Sequence, residues 1–406
     1  MINKNKVVFV LIDALRSDYI NKEDSPFLYN FAKTNKYYKN VTQSRSFCER
    51  AEIFTGLSPR ESGYFTAIGF SPEDSPYKDI KILDILAYSD KLFFKNRLYN
   101  IFRNKLIRLL TIGKNILMKS YYIPVNTLKY FNLTEDKFDF RSKNGFNGQN
   151  NIFNDCKVNG LNIYYDSFTA LNFTKASTDE SRLKSVEENI ENDYNLYLSY
   201  IGIIDSYGHK YGPKSKELKA ELKKLDQRLS KFYNNIVLNN KDTKFIFLGD
   251  HGMTKVHTHV NIEKELNELA IINNLKLGKD YVYFLDSTMF RIWYLNDNAL
   301  KCIDNALKYN QNLLKYGTFV NKSIAIEKEI PFPDKHYGDT LWMANVGVLI
   351  FPDFFHKNNP YKGMHGYDVN HFSSKGTCFV SSKKYEYSEN IKLTDVYNIL
   401  KKELNI

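Results

Sequence analysis

VVFVLID (residues 7–13), LYLSYIGIID (196–205) and KFIFLGD (244–250) are three continuous apolar runs, each closing on an aspartate. A strand buried on both faces reads as an unbroken apolar run, whereas a strand with one wet face alternates. The three runs therefore predict parallel strands inside a sheet covered on both sides. In open α/β sheets, functional groups gather beyond the carboxyl ends of the strands. Asp13, Asp205 and Asp250 stand at those ends. A fourth apolar run, VGVLIF (346–351), precedes His365.

Between the runs lie helical patterns. Leu218, Leu222, Leu225, Leu229, Phe232 and Ile236 recur at steps of four and three, which predicts a helix from about Ser215 to Leu238 packed on the sheet. Strands alternating with helices predict an α/β fold of three layers, α/β/α, with a mostly parallel sheet. A single domain over residues 1–406 is expected, interrupted by insertions at about 90–195 and 260–345 that would cap the site. A chain of 406 residues is long enough to bury such a core.

Hydrophobic residues make up 43% and charged residues 25%, and Tyr (30) and Phe (29) are abundant, which excludes disorder over most of the chain. The net charge of +11 favours anionic partners. The four cysteines form no C-x-x-C pair, so a reducing, cytoplasmic compartment is expected. The first apolar run ends in Asp13 and lacks a small-residue cleavage site, so it reads as a strand and not as a leader. No run reaches the ~18 apolar residues of a membrane span.

One segment departs from this pattern. Residues 91–129 carry nine Lys/Arg and no Asp or Glu, interleaved with Leu, Ile, Phe and Tyr. Such a stretch suits either a helical cap or an anionic membrane surface, at the inner face of the membrane for a cytoplasmic protein. No groove-reading motif accompanies the charge, so a specific nucleic-acid reader is not expected. The sequence says nothing of the oligomeric state.

Short motifs near the strand ends carry chemistry. Asp205 and His209 lie four apart in DSYGH, and a turn over 206–209 would bring both to one metal. Asp250 and His251 in GDHGM are adjacent and could serve one metal or reach toward two. Asp13 could ligate or merely cap a helix. His365 sits between glycines in GMHGYD. Ser46 opens SFCERAEIFTG, which looks helical from about Cys48 to Phe54. A hydroxyl there could meet a phosphate, or only cap the helix. Together the acidic and imidazole groups suit two divalent metal ions roughly 4 Å apart for in-line displacement at phosphorus. The mixed donor set favours Zn²⁺, with Mn²⁺ the alternative.

LIDALRSDY, SFCERAEIFTG, DSYGHKYGP, DHGMTKV and GMHGYD together resemble the nucleotide pyrophosphatase/phosphodiesterase branch of the alkaline phosphatase superfamily. The resemblance implies that Asp13, Ser46, Asp250 and His251 hold one metal, and that Asp205, His209 and His365 hold the other. It implies a phosphodiester substrate attacked by Ser46, with a phosphoseryl intermediate released to water. Two positions depart from the family pattern. Cys48 replaces a proline, and Glu49 replaces the asparagine that would hold a phosphate oxygen. Arg50 follows and could pair with Glu49 or clamp the substrate.

Three alternatives stay open from the sequence. One is a phosphotransferase passing the group from a lipid-linked or glycan phosphodiester to an alcohol. Another is a sulfatase, since S-x-C-x-R approaches the sulfatase pattern. The last is a membrane-surface binding protein with structural metals.

Overall fold

A computed structural model of the chain describes residues 5–93, 97–110, 118, 120–134, 145–165, 178–382 and 389–406. The chain divides into two compact units. The first takes Met1–Ser62, Phe138–Lys255 and Lys362–Ile406, and the second takes Gly63–Lys137 and Val256–Tyr361.

The first unit is built on a seven-stranded sheet. Its order is Asn390–Lys392, Lys36–Thr42, Gly376–Val380, Lys244–Leu248, Val7–Ile12, Leu196–Ile201 and Ile163–Tyr165. The three apolar runs that predicted a buried sheet are thus neighbours, with Val7–Ile12 between the other two and parallel to both. Every residue of Val7–Ile12 and Leu196–Ile201 is buried, which is why neither run alternates. Gly376–Val380 runs antiparallel to both of its neighbours, so the sheet is mixed though mostly parallel.

Helices cover both faces. On one, Val8, Val10 and Ile12 meet Leu218, Leu222, Leu229 and Phe232 of the Lys216–Asn239 helix. Ser215 caps that helix by accepting the Leu218 N–H, so it starts where the periodicity begins. On the other, the Phe9 ring stands 6.4 Å from Phe54 of the Glu49–Thr55 helix, and Phe54 stands 5.0 Å from Phe153 of Ile152–Val158. The expected three-layer arrangement is therefore present in this unit.

Strand register positions the site. Ile12 pairs with Ile201 and Leu11 with Leu248, so the three strands end at one level. Asp13, Gly202 and Gly249 follow immediately, and their loops leave the sheet side by side.

The second unit holds an antiparallel sheet of four strands, in the order Tyr281–Leu285, Met289–Tyr294, Thr340–Ala344 and Gly317–Phe319. Val348–Ile350, from the fourth apolar run, pairs with Thr258–Val260 in this unit and does not extend the central sheet. Ile152–Val158, Ile163–Tyr165 and Asp179–Asn189, inside the first segment expected as an insertion, belong to the first unit. No described helix is long and apolar enough to cross a membrane.

Candidate active site

The Val7–Ile12 strand stops sharply. Asp13 still donates its N–H to Ile201 O at 2.9 Å, but Ala14 turns into the left-handed region at φ 60°. That conformation is costly for a residue with a Cβ. It lets the Ala14 N–H reach Asp250 Oδ1 at 3.3 Å, joining two strand ends. Gly249 permits the same approach, since a Cβ there would lie 2.2 Å from Leu15 O.

Asp205 and His209 do not sit on a turn, as the motif suggested. They lie on one helix, Ile203–Tyr211, where a spacing of four places them on a common face. His209 Nε2 stands 3.2 Å from Asp205 Oδ1. His365 follows a two-residue strand, Gly363–Met364, paired to Thr254–Lys255 just beyond the GDHGM motif. A Cβ on Gly363 would lie 2.5 Å from Gly208 O, so glycine lets this loop close on the DSYGH helix.

Two ligand sets result. Asp13, Asp250 and His251 offer donor atoms that all lie within 4.8 Å of one another, and Asp205, His209 and His365 do the same. The stacked rings of His251 and His365, 3.9 Å between centroids, connect the sets. His251 Nε2 is 3.0 Å from Asp13 Oδ1 and 3.9 Å from Asp250 Oδ1, while His365 Nε2 is 3.9 Å from Asp205 Oδ1. His209 Nδ1 lies 2.9 Å from Gly363 O and His251 Nδ1 lies 2.9 Å from Gly252 O. Each contact suits an Nδ1–H donor and turns Nε2 toward the carboxylates, the orientation a metal-binding histidine needs.

Orphaned polar atoms mark where a cation fits. Asp13 Oδ1, Asp205 Oδ1, Glu49 Oε1 and His365 Nδ1 are buried and make no hydrogen bond. Buried acceptors without partners are costly. Asp13 Oδ1 and Asp205 Oδ1 face the Nε2 atoms of His251 and His209 at 3.0 and 3.2 Å, so the donor set suits divalent metal ions of the borderline class.

Protonation follows from the same crowding. Burial pushes the Asp250 carboxyl up to about 7, with the negative Asp13 and Glu49 adding to the rise. Burial acts the same way on Asp13, but the His251 imidazole and the Tyr200 hydroxyl outweigh it and hold Asp13 below its ordinary range. Burial would lower His251, yet Asp250 and Asp13 drive it well above the usual imidazole value. His365 is pushed well below that value by burial and by the charges of His251 and His209. Without metal, protons thus hold the charge balance, and metal binding would displace them.

Ser46 is fully buried, two residues before the N-cap Cys48 of the Glu49–Thr55 helix. Its hydroxyl donates to Glu52 Oε1 at 3.3 Å, and Glu52 Oε2 accepts from Ser44 N (3.0 Å) and Ser44 Oγ (2.8 Å). Burial pushes Glu52 up to about 8. The loop that carries Ser46 reaches the metal side through its neighbours. The Phe47 ring stands 5.7 Å from His365, and the Arg45 guanidinium donates to Gly366 O at 3.3 Å.

Glu49, expected to contact substrate, lies with His251 and His365 in a third group of donor atoms within 4.8 Å of one another. Burial raises its carboxyl pKa. The Arg50 guanidinium stands 5.6 Å from the Tyr200 ring centroid, and its charge acts on Asp13, Glu49 and Asp250.

Glu52 and Tyr200 had no signal in the sequence. The Tyr200 hydroxyl donates to Asp13 Oδ2 at 2.5 Å, yet in the sequence it is one more member of an apolar run. Glu52 reads as an ordinary helical glutamate.

The chain is similar to known proteins in fold and in sequence. Murine and human ectonucleotide pyrophosphatase / phosphodiesterase 5 superpose with a TM-score of 0.70 at 17% identity, covering 99% of this chain and 95% of theirs. The chain therefore has the alkaline-phosphatase-like α/β fold. GPI ethanolamine phosphate transferase 2 of Yarrowia lipolytica is 32% identical over 109 residues, 27% of this chain and 12% of that protein. Ectonucleotide pyrophosphatase/phosphodiesterase family member 7 of Mus musculus is 37% identical over 70 residues, 17% of this chain and 16% of that protein. The matched segments thus span 12–16% of these curated relatives. The sequence profile described as Type I phosphodiesterase / nucleotide pyrophosphatase matches residues 7–368, so the chain belongs to that family.

Proposed function

We propose that the chain breaks a phosphoric diester or anhydride bond, with Ser46 as nucleophile and two divalent metal ions, Zn²⁺ favoured. The observation that carries this reading is the pair of adjoining acid–imidazole sets in each of which one buried carboxylate oxygen, Asp13 Oδ1 or Asp205 Oδ1, makes no hydrogen bond. Asp13, Asp250 and His251 would hold one ion, and Asp205, His209 and His365 the other. When bound, the ions supply charge neutralisation at phosphorus and activation of a hydroxyl.

The remaining work falls to side chains of the chain itself. Glu52 holds Ser44 and the Ser46 hydroxyl, fixing the direction from which Ser46 meets phosphorus. Tyr200 holds Asp13. Arg50 adds positive charge beside a site crowded with carboxylates, which an anionic substrate requires. The bond from Ser46 Oγ to phosphorus forms as the bond to the leaving oxygen breaks; that oxygen keeps the electron pair, and the serine proton passes to it through solvent. A second displacement then frees Ser46.

The acceptor in that second step divides two readings. Water makes the protein a hydrolase. An alcohol makes it a phosphotransferase, which the relatives named GPI ethanolamine phosphate transferase favour. Turnover of bis-(p-nitrophenyl) phosphate with Zn²⁺ or Mn²⁺ tests both, in the presence and absence of an added alcohol. Release of p-nitrophenol with passage of the p-nitrophenyl phosphoryl group to the alcohol, as a new diester, supports transfer, and inorganic or monoester products alone support hydrolysis. Preference for p-nitrophenyl sulfate over bis-(p-nitrophenyl) phosphate and p-nitrophenyl phosphate overturns the phosphoryl reading.

A further inference from the structure

The Arg97–Leu110 helix of the second unit buries polar side chains and exposes several apolar ones. A surface helix ordinarily buries its apolar stripe and wets its polar one. Here Asn100 and Arg103 are buried. The Arg103 guanidinium donates to Asp90 Oδ2 at 3.2 Å, Ile123 O at 3.1 Å and Asn104 Oδ1 at 2.9 Å, and Asn104 Oδ1 also accepts the Ser120 hydroxyl at 2.9 Å. This network fixes the rotation of the helix about its axis. Undoing it would strand a buried charge, which is strongly destabilising.

Ile107 is buried beside Asn100 and Arg103, but other apolar residues face out. Ile101, Phe102 and Leu109, with Ile85, Tyr88, Leu92 and Phe93 of the adjoining Ile82–Phe93 helix, are 45–73% exposed. The two helices are joined by the Ser89–Tyr99 and Tyr99–Asp90 hydrogen bonds, both 2.7 Å, so these residues belong to one hairpin. An apolar patch of this kind marks a surface that is covered in use.

Charge identifies what covers it. Lys81 and Lys105 are exposed at this hairpin. Arg108 is exposed as well, whereas Arg103, another of the nine cationic residues of 91–129, is buried against Asp90; 94–96, 111–117 and 119 lie outside the described residues. A second copy of the chain would bring like charges together. An anionic lipid surface offers an apolar boundary and negative headgroups at once.

We propose that this hairpin docks on an anionic membrane surface, with Leu92, Phe102 and Leu109 in the boundary between headgroups and acyl chains and Lys105 on lipid phosphates. The proposal is independent of the reaction assigned to Ser46.

Flotation of the full-length chain with vesicles of phosphatidylcholine, alone or mixed with phosphatidylglycerol, tests it. Binding is expected with the anionic vesicles and should weaken in high salt. The triple variant Leu92→Ser, Phe102→Ser, Leu109→Ser should bind roughly a hundredfold less, and Lys105→Glu roughly tenfold less. A wild-type chain that ignores both vesicles, or a triple variant that floats equally well, overturns the proposal. So does a dimer, lost in the triple variant, with no vesicle binding. Should the triple variant fail to fold, Phe102→Trp replaces it. Quenching of its emission by brominated lipid supports docking, against the background of the fully buried Trp293 and Trp342, and no quenching overturns it.

Discussion

Tyr200→Phe removes one hydrogen bond at the candidate metal site and little else. The Tyr200 hydroxyl donates to Asp13 Oδ2 at 2.5 Å, which leaves Oδ1 turned to His251 Nε2 at 3.0 Å. Burial and the Asp13 charge push the phenol well above its ordinary range, so it remains a donor at any working pH. A hydrogen bond to an ionised group is worth about 1.5–3 kcal/mol. At about 1.4 kcal/mol per tenfold, Tyr200→Phe should weaken the Asp13 metal by roughly 10–100-fold. The ring stays, and with it the packing of Arg50 and Arg182, whose guanidinium carbons lie 5.6 and 5.3 Å from its centroid. Zn²⁺ titration against a competing chelator reads both stepwise affinities. One site should weaken by that factor while the other holds. Equal weakening of both sites, or no change in either, would refute the assignment of Asp13 as a ligand oriented by Tyr200.

Four further outcomes are expected. Asp205→Asn should lower bound metal from two ions to one by elemental analysis, and retention of both would remove Asp205 from the ligand set. Glu52→Ala releases Ser44 and Ser46, so kcat should fall roughly tenfold or more with metal content unchanged; an unaltered kcat would show that Glu52 does not position the nucleophile. Chelation should lower Tm: at free metal a thousandfold above Kd, each ion contributes about 4 kcal/mol, or about 5 °C in a chain of this size. Arg228→Ala tests the paired contact to Glu187, at 3.0 and 2.8 Å. Burial raises the Glu187 carboxyl, but the Arg228 hydrogen bonds and charge outweigh it and the net shift is downward. A lowered folded pKa gives stability that is present above the unfolded value near 4.5 and lost as pH falls through the folded value. The variant should therefore be less stable at neutral pH by about 1 kcal/mol, discounted for solvent screening. The difference should vanish in denaturation measured well below pH 4.5. A difference that persists in acid would point to lost packing instead.

Much of the central sheet was legible because burial on both faces leaves an unbroken apolar run. Val7–Ile12, Leu196–Ile201 and Lys244–Leu248 were found that way, and their shared ends located Asp13 and Asp250. Lys36–Thr42 and Gly376–Val380 were not found. KYYKNVT mixes polar and aromatic residues because it lies toward a sheet edge, and GTCFV is short. VGVLIF has the same apolar composition as the runs of the first unit but lies in the second unit, so composition alone does not assign a run to a sheet. The metal-ligand candidates were visible because five short motifs together resemble one family's pattern; DSYGH or GMHGYD alone would read as well as a turn or an ordinary loop. Their supporting residues were not. Tyr200 and Glu52 act through hydrogen bonds to residues 187 and 6 positions away, which no local pattern encodes. The helix at 97–110 was seen only as basic and amphipathic. Which face turns inward is decided by Asp90 and the carbonyls of Tyr121 and Ile123, not by its own sequence.

The central claim is that Ser46 takes the phosphoryl group. Rapid acid quench of the metal-loaded protein during turnover of bis-(p-nitrophenyl) phosphate, followed by peptide mass spectrometry, addresses it directly. A phosphoester on the peptide that carries Ser46, absent together with turnover in Ser46→Ala, is the predicted result. Undiminished turnover in Ser46→Ala, or a phosphoester found on another residue, would contradict it.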